Sequence, residues 1–155
     1  MTKKLLFTGH IAVMALCAAV ATAQAQSTSV GDIAYLEDSL QALNAEFERV
    51  GVQTSNSGGE GGTRWYRVGD LQSGFYEDFV VRLAAPGWIA VGADRDTQSI
   101  TLTRYDSGQL AGWDRGSGVR AASLYFGRAG TYTVRMHMDA CSEAYCIYTI
   151  MAGFR

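Results

Sequence analysis

The residues able to do chemistry are few, and their spacing narrows what each can do. Cys141 and Cys146 bracket Ser142-Glu143-Ala144-Tyr145 between two strand-like runs. A redox dithiol usually keeps two residues between its cysteines and opens a helix, which this spacing does not match. Zinc needs four ligands, and His137 is the only histidine beyond His10. A close, even pair in an exported chain reads instead as a structural disulfide, worth about 2 kcal/mol through the short loop it closes.

His137 is also the only candidate base for a serine or cysteine nucleophile. It lies mid-strand near Arg135, and no G-x-S-x-G turn occurs to present a nucleophile. Carboxylate pairs suited to glycoside hydrolysis exist at Glu77-Asp78 and at Asp94/Asp96. A domain this small leaves little room for the deep cleft such chemistry uses. No phosphate-cradling loop or dinucleotide fingerprint is present. The expectation is that no residue is catalytic. Aromatics offer a different chemistry, because their faces stack on sugars: Trp65, Tyr66, Trp88, Tyr105, Trp113 and Tyr125 either fill a core or form a ligand platform. Trp113, flanked by Gly112 and Asp114 near a turn, and Tyr105 are the candidate platform residues.

The chain that positions these groups opens with Lys3 and Lys4, an apolar run from Leu5 to Val20, and two overlapping small-x-small sites at Ala21-Thr22-Ala23 and Ala23-Gln24-Ala25. That is the pattern of a secretory signal peptide over residues 1–25, cleaved near Ala23 or Ala25, and it predicts a periplasmic or secreted bacterial protein. Ile11 to Ala21 is too short for a spanning helix, so the mature chain is expected to carry no transmembrane segment. Cys17 leaves with the leader. Loss of both lysines leaves eleven arginines against fifteen acidic residues, a net charge of −4. A mildly acidic, lysine-free chain has no basic stripe for phosphates, which argues against nucleic acid as a partner.

Ile33, Leu36, Leu40, Leu43, Phe47 and Val50 recur at spacings of three and four, predicting an amphipathic helix from Asp32, a candidate N-cap, to Val50, with Gly51 as its stop. This stripe, within residues 30–51, either packs on the following domain or forms a face for a partner helix or a second copy. Residues 52–63 form a polar Gly/Ser-rich linker. From residue 64 to 155 about eight short strands alternate with turn signals, near 10 residues apart, predicting a mainly β, antiparallel sandwich preceded by the one helix. Within Thr131–Met138, Tyr132, Val134, Met136 and Met138 share one face, and Thr133, Arg135 and His137 the other.

Several segments in this region carry a resemblance: Trp65-Tyr66-Arg67-Val68, Tyr76-Glu77-Asp78-Phe79-Val80-Val81, Val91 to Asp96, Ser99 to Leu110, and above all Gly130-Thr131-Tyr132-Thr133-Val134. Their order and spacing resemble the bacterial pre-peptidase C-terminal domain over roughly 90 residues. The resemblance implies a jelly-roll-like sandwich without catalysis, appended to secreted proteases or standing in surface and periplasmic proteins. Some members of that family hold calcium with acidic residues. Here the aspartate pair expected before the Asp-x-x-Gly turn is replaced by Gln98-Ser99-Ile100-Thr101, leaving Asp94, Asp96, Asp106 and Asp114 as candidate calcium ligands.

The leading functional expectation is an exported, non-catalytic interaction module of the envelope. It binds another envelope or surface protein, or self-associates through the helix. A carbohydrate- or calcium-dependent binding module at the cell surface is the alternative, and a small secreted hydrolase the third reading.

Overall fold

The computed structural model describes residues 30–52, 65–116 and 120–154. The leader and the greater part of the Gly/Ser-rich linker lie outside these. One helix, α1 (Val30–Arg49), precedes eight strands: β1 (Trp65–Leu71), β2 (Tyr76–Leu83), β3 (Gly87–Ala93), β4 (Thr97–Asp106), β5 (Gln109–Asp114), β6 (Ala121–Phe126), β7 (Gly130–Cys141) and β8 (Cys146–Gly153). All pairings are antiparallel. They form two four-stranded sheets, ordered β1-β8-β3-β6 and β2-β7-β4-β5. Successive strands mostly cross between sheets, which is the jelly-roll arrangement of a mainly β sandwich.

Alternation makes the core. Phe79, Val81 and Leu83 from β2, Ile100 and Leu102 from β4, and Val134, Met136 and Met138 from β7 meet Ile89, Val91, Ala122, Phe126, Tyr148 and Ile150 of the first sheet. The period-2 reading of β7 places its residues on the correct faces, although the strand runs three residues past Met138. The β4–β5 hairpin turns at Ser107 and Gly108, with φ of 51° and 82°. Two left-handed central residues give the primed turn that suits strand twist.

At one end of the sandwich the Tyr148 hydroxyl donates to the Glu77 carboxylate, which also pairs with Arg67 at 2.8 Å. This joins β8, β2 and β1 across both sheets. Burial, reinforced by that carboxylate, raises the Tyr148 phenol well above its usual pKa.

The helix belongs to the fold. Leu43, Phe47, Val50 and Val52 pack on Ala90, with Trp88 and Met151 beside them. Ser39 and Thr149 share a buried hydrogen bond of 2.8 Å. Buried Glu46 accepts from Ser123 of β6 at 2.6 Å and pairs with Arg49. Arg95, after β3, pairs with Asp38 and lies 5.7 Å from the Tyr35 ring. Two glycines let the helix sit this close: a Cβ on Gly92 would fall 2.7 Å from Leu43 Cα, and one on Gly153 would fall 2.9 Å from the Phe47 ring.

Two sequence expectations are corrected here. The helix begins at Val30, so Asp32 lies inside it and is not its N-cap. The proposed partner face is also divided. Leu43, Phe47 and Val50 are buried against the sheet, Leu36 and Leu40 are half-buried, and Ile33 stays exposed. Burying apolar area on a neighbouring sheet satisfies the stripe without a second helix.

Candidate functional site

α1 covers the outside of the first sheet, and among the described residues no element covers the outside of the second, which is the open face of the sandwich. Its centre is Arg135, on β7. The guanidinium donates to both carboxylate oxygens of Asp78 on the neighbouring strand, at 2.7 and 2.8 Å. It also lies 3.8 Å from the Tyr76 ring centre and 5.2 Å from that of Tyr105. A forked cation held by a paired carboxylate and flanked by two rings has little rotamer freedom left to lose on binding. The hydrogen bonds from Arg135 hold the Asp78 carboxyl below its usual pKa, and the same contact raises that of Arg135.

Register extends this centre into a row. Asp78 pairs with Arg135, Arg135 with Thr103, and Thr103 with Trp113, so one line crosses all four strands. Trp113 reaches the face through a β-bulge. Tyr105 pairs with Leu110 but Arg104 with Gly112, leaving Ala111 as the extra residue. Leu110 and Trp113 differ by an odd number of positions and would face opposite ways in a regular strand; the bulge turns both outward. Trp113 is 64% exposed, Leu110 62% and Tyr76 54%.

A second polar cluster adjoins the row. Asp139 accepts from Thr101 Oγ1 at 2.6 Å and from Ser99 Oγ at 3.2 Å, and lies 2.6 Å from His137 Nδ1. Arg115 Nε stands 3.5 Å away. Burial opposes the charge on Asp139, but the hydrogen bonds from Thr101, His137 and Ser99 outweigh it and hold the carboxyl below its usual range. An ionised carboxylate only accepts, so Nδ1 carries the proton in the contact with Asp139. Both hydroxyls donate to the carboxylate, not to the imidazole, which is not the nucleophile–base arrangement of covalent catalysis.

No family model matches the chain, and no curated protein matches it. Among solved structures the chain is similar to a de novo designed double-stranded β-helix, at 8% identity and TM-score 0.39, over 57% of this chain and 99% of that one. It is also similar to Aeromonas hydrophila PliG, a periplasmic lysozyme inhibitor of g-type lysozyme, at 12% identity and TM-score 0.42, over 67% of this chain and 93% of that one. Both likenesses are too distant to carry a functional argument.

The four candidate calcium ligands are distributed among separate structural tasks. Buried Asp94 accepts from the Ile147 amide at 2.6 Å, the Asp96 amide at 3.2 Å and Thr97 Oγ1 at 3.2 Å, lashing the β3–β4 turn to the start of β8. Burial raises its pKa despite these bonds. Asp96 offers its backbone carbonyl to Ser142, Asp106 pairs with Arg104, and Asp114 accepts from the Ser123 amide of β6 at 2.8 Å. Among the described residues no group of three or more His, Cys, Asp or Glu could hold a metal ion. Cys141 and Cys146 are joined as a disulfide that closes the connection by which the chain passes from β7 in the second sheet to β8 in the first.

Of the two candidate platform residues, Trp113 and Tyr105 do share one open face. Asp78, which the sequence offered only as half of a carboxylate pair with Glu77, completes it together with Tyr76, Arg135 and Asp139, none of which stood out from the sequence as site residues. The signal for Asp139 was present, since alternation carries the face of Thr133, Arg135 and His137 on to it. Tyr76 and Asp78 needed the β2–β7 register, which joins segments more than fifty residues apart.

Proposed function

We propose that the chain is an exported, non-catalytic binding module of the bacterial envelope that recognises its partner through the open face of the second sheet. The observation that carries this reading is Arg135, fixed by Asp78 and flanked by Tyr76 and Tyr105, with Trp113 exposed in the same row. Tyr, Trp and Arg are the residue types that concentrate binding energy at recognition surfaces, particularly when already ordered. The helix is less suited to that role, because half of its apolar stripe is occupied by the sheet. The leader pattern and the disulfide support export. Kinship with the pre-peptidase C-terminal domain stands as part of the proposal.

The test is retention of envelope material, protein and glycan alike, on the immobilised mature protein. Trp113→Ala and Arg135→Ala should lose whatever the parent retains, while Glu48→Ala on the outer side of the helix should not. Retention that survives both sheet variants and fails with Glu48→Ala would overturn the assignment of the face.

A further inference from the structure

Resting on that reading, we infer that the open face is a saccharide-binding strip for a neutral glycan. Three features of the face select this ligand chemistry. First, the charges at its centre are satisfied internally, Arg135 by Asp78, and Asp139 by His137, Thr101 and Ser99 with Arg115 beside them, while exposed Arg82 stands apart toward the far end of β2. Paired charges exert little net pull on a charged ligand, yet their remaining donors and acceptors stay fixed and directional. Arg135 and the Asp78 oxygens offer both hydrogen-bonding senses within one strand spacing, and the His137 ring adds a further polar edge. That mixture matches a sugar's hydroxyls, each able to donate and accept.

Second, apolar ring faces alternate with these polar groups. Tyr76, Tyr105 and Trp113 come from β2, β4 and β5, and Trp113 stands two strand spacings from Arg135, about 10 Å. A pyranose has the same duality, with a C–H face for a ring and a rim of hydroxyls. The polar groups between the rings would be left unpaired beneath a purely apolar partner surface.

Third, the face is small. Four strands of six to twelve residues cover on the order of 600 Å² in projection, against about 800 Å² per partner in a standard stable protein interface. A second copy of this chain or a rigid globular partner would need more than this face, whereas an oligosaccharide would not.

Affinity electrophoresis of the mature protein through gels containing laminarin, hydroxyethylcellulose, glucomannan or glycol chitin tests the inference, with dextran sulfate as the charged control. Tryptophan fluorescence titration with soluble oligosaccharides of any retarding polymer gives the affinity. At least one neutral polymer should retard the protein. Trp113→Ala and Tyr105→Ala should weaken binding about tenfold while melting like the parent, and Trp113→Phe should recover part of the loss. Failure of every neutral polymer to retard the protein, retardation by dextran sulfate alone, or equal retardation of Trp113→Ala would each overturn the glycan inference. If neutral polymers fail but an envelope protein is captured in a Trp113-dependent way, the glycan falls and the recognition face stands. If no binding of either kind depends on the face, both readings fall together.

Discussion

Replacing Gly92 by alanine tests whether α1 is part of the fold or an ornament on it. The new Cβ would meet the backbone of the helix: Leu43 Cα at 2.7 Å, with Leu43 N and Ser39 O nearer still. Backbone cannot rotate out of the way as a side chain can, so the helix must lift by about 1 Å. A gap of that size forfeits a quarter to a half of the dispersion contact across it. Leu43, Phe47, Val50 and Val52 are the side chains at stake, each worth about 1.5–3 kcal/mol when buried. The expected cost is therefore about 2–5 kcal/mol, within reach of the whole stability of a domain this size. Thermal unfolding followed by circular dichroism should show Tm lower by roughly 10 °C or more. Gly112→Ala is the matched control, since nothing lies within 4 Å of its Cβ position; it should stay within about 0.5 kcal/mol of the parent. A Gly92→Ala protein melting within about 2 °C of the parent would refute the account of helix docking.

Three further outcomes follow from the same geometry. In the unfolded chain the Tyr148 phenol loses its proton near pH 10, whereas the folded state retains it. Folded stability should thus decline as pH rises past about 10, and an ultraviolet titration should show a tyrosine that ionises only on unfolding; equal stability of parent and Tyr148→Phe across that range would contradict this. Replacing Cys141 and Cys146 together by serine should cost about 2 kcal/mol in urea unfolding and leave the second sheet's face intact, so unchanged stability would deny the staple its role. Asp94→Ala leaves the Ile147 amide and Thr97 without their acceptor, and should cost about 1–3 kcal/mol with no dependence on added calcium; a calcium-dependent Tm in the parent, lost in the variant, would restore the metal reading.

The outward set of β7 was legible before any coordinates because alternation is a local property. Thr133 and Arg135 share a side with His137 in any extended strand. The face itself was not legible. Arg135 meets Asp78 only through a pairing of distant strands, and Trp113 points outward only because Ala111 is an extra residue opposite β4. A strict alternation count along β5 would have separated Leu110 from Trp113. The structural task of Asp94 was hidden for a related reason. A carboxylate in a turn has the same sequence appearance whether it awaits a cation or holds the amide of a residue fifty-three positions away.

What the sequence determined by itself was the mainly β class, the amphipathic helix with its apolar stripe, the disulfide pair and the absence of a basic stripe, all properties of composition and short-range period. Tertiary structure decided which half of the helical stripe is covered, which sheet keeps an open outside, and which aromatics share it. Those choices depend on register and on the close approach at Gly92 and Gly153, and both are contacts between residues whose nearness is created by folding alone.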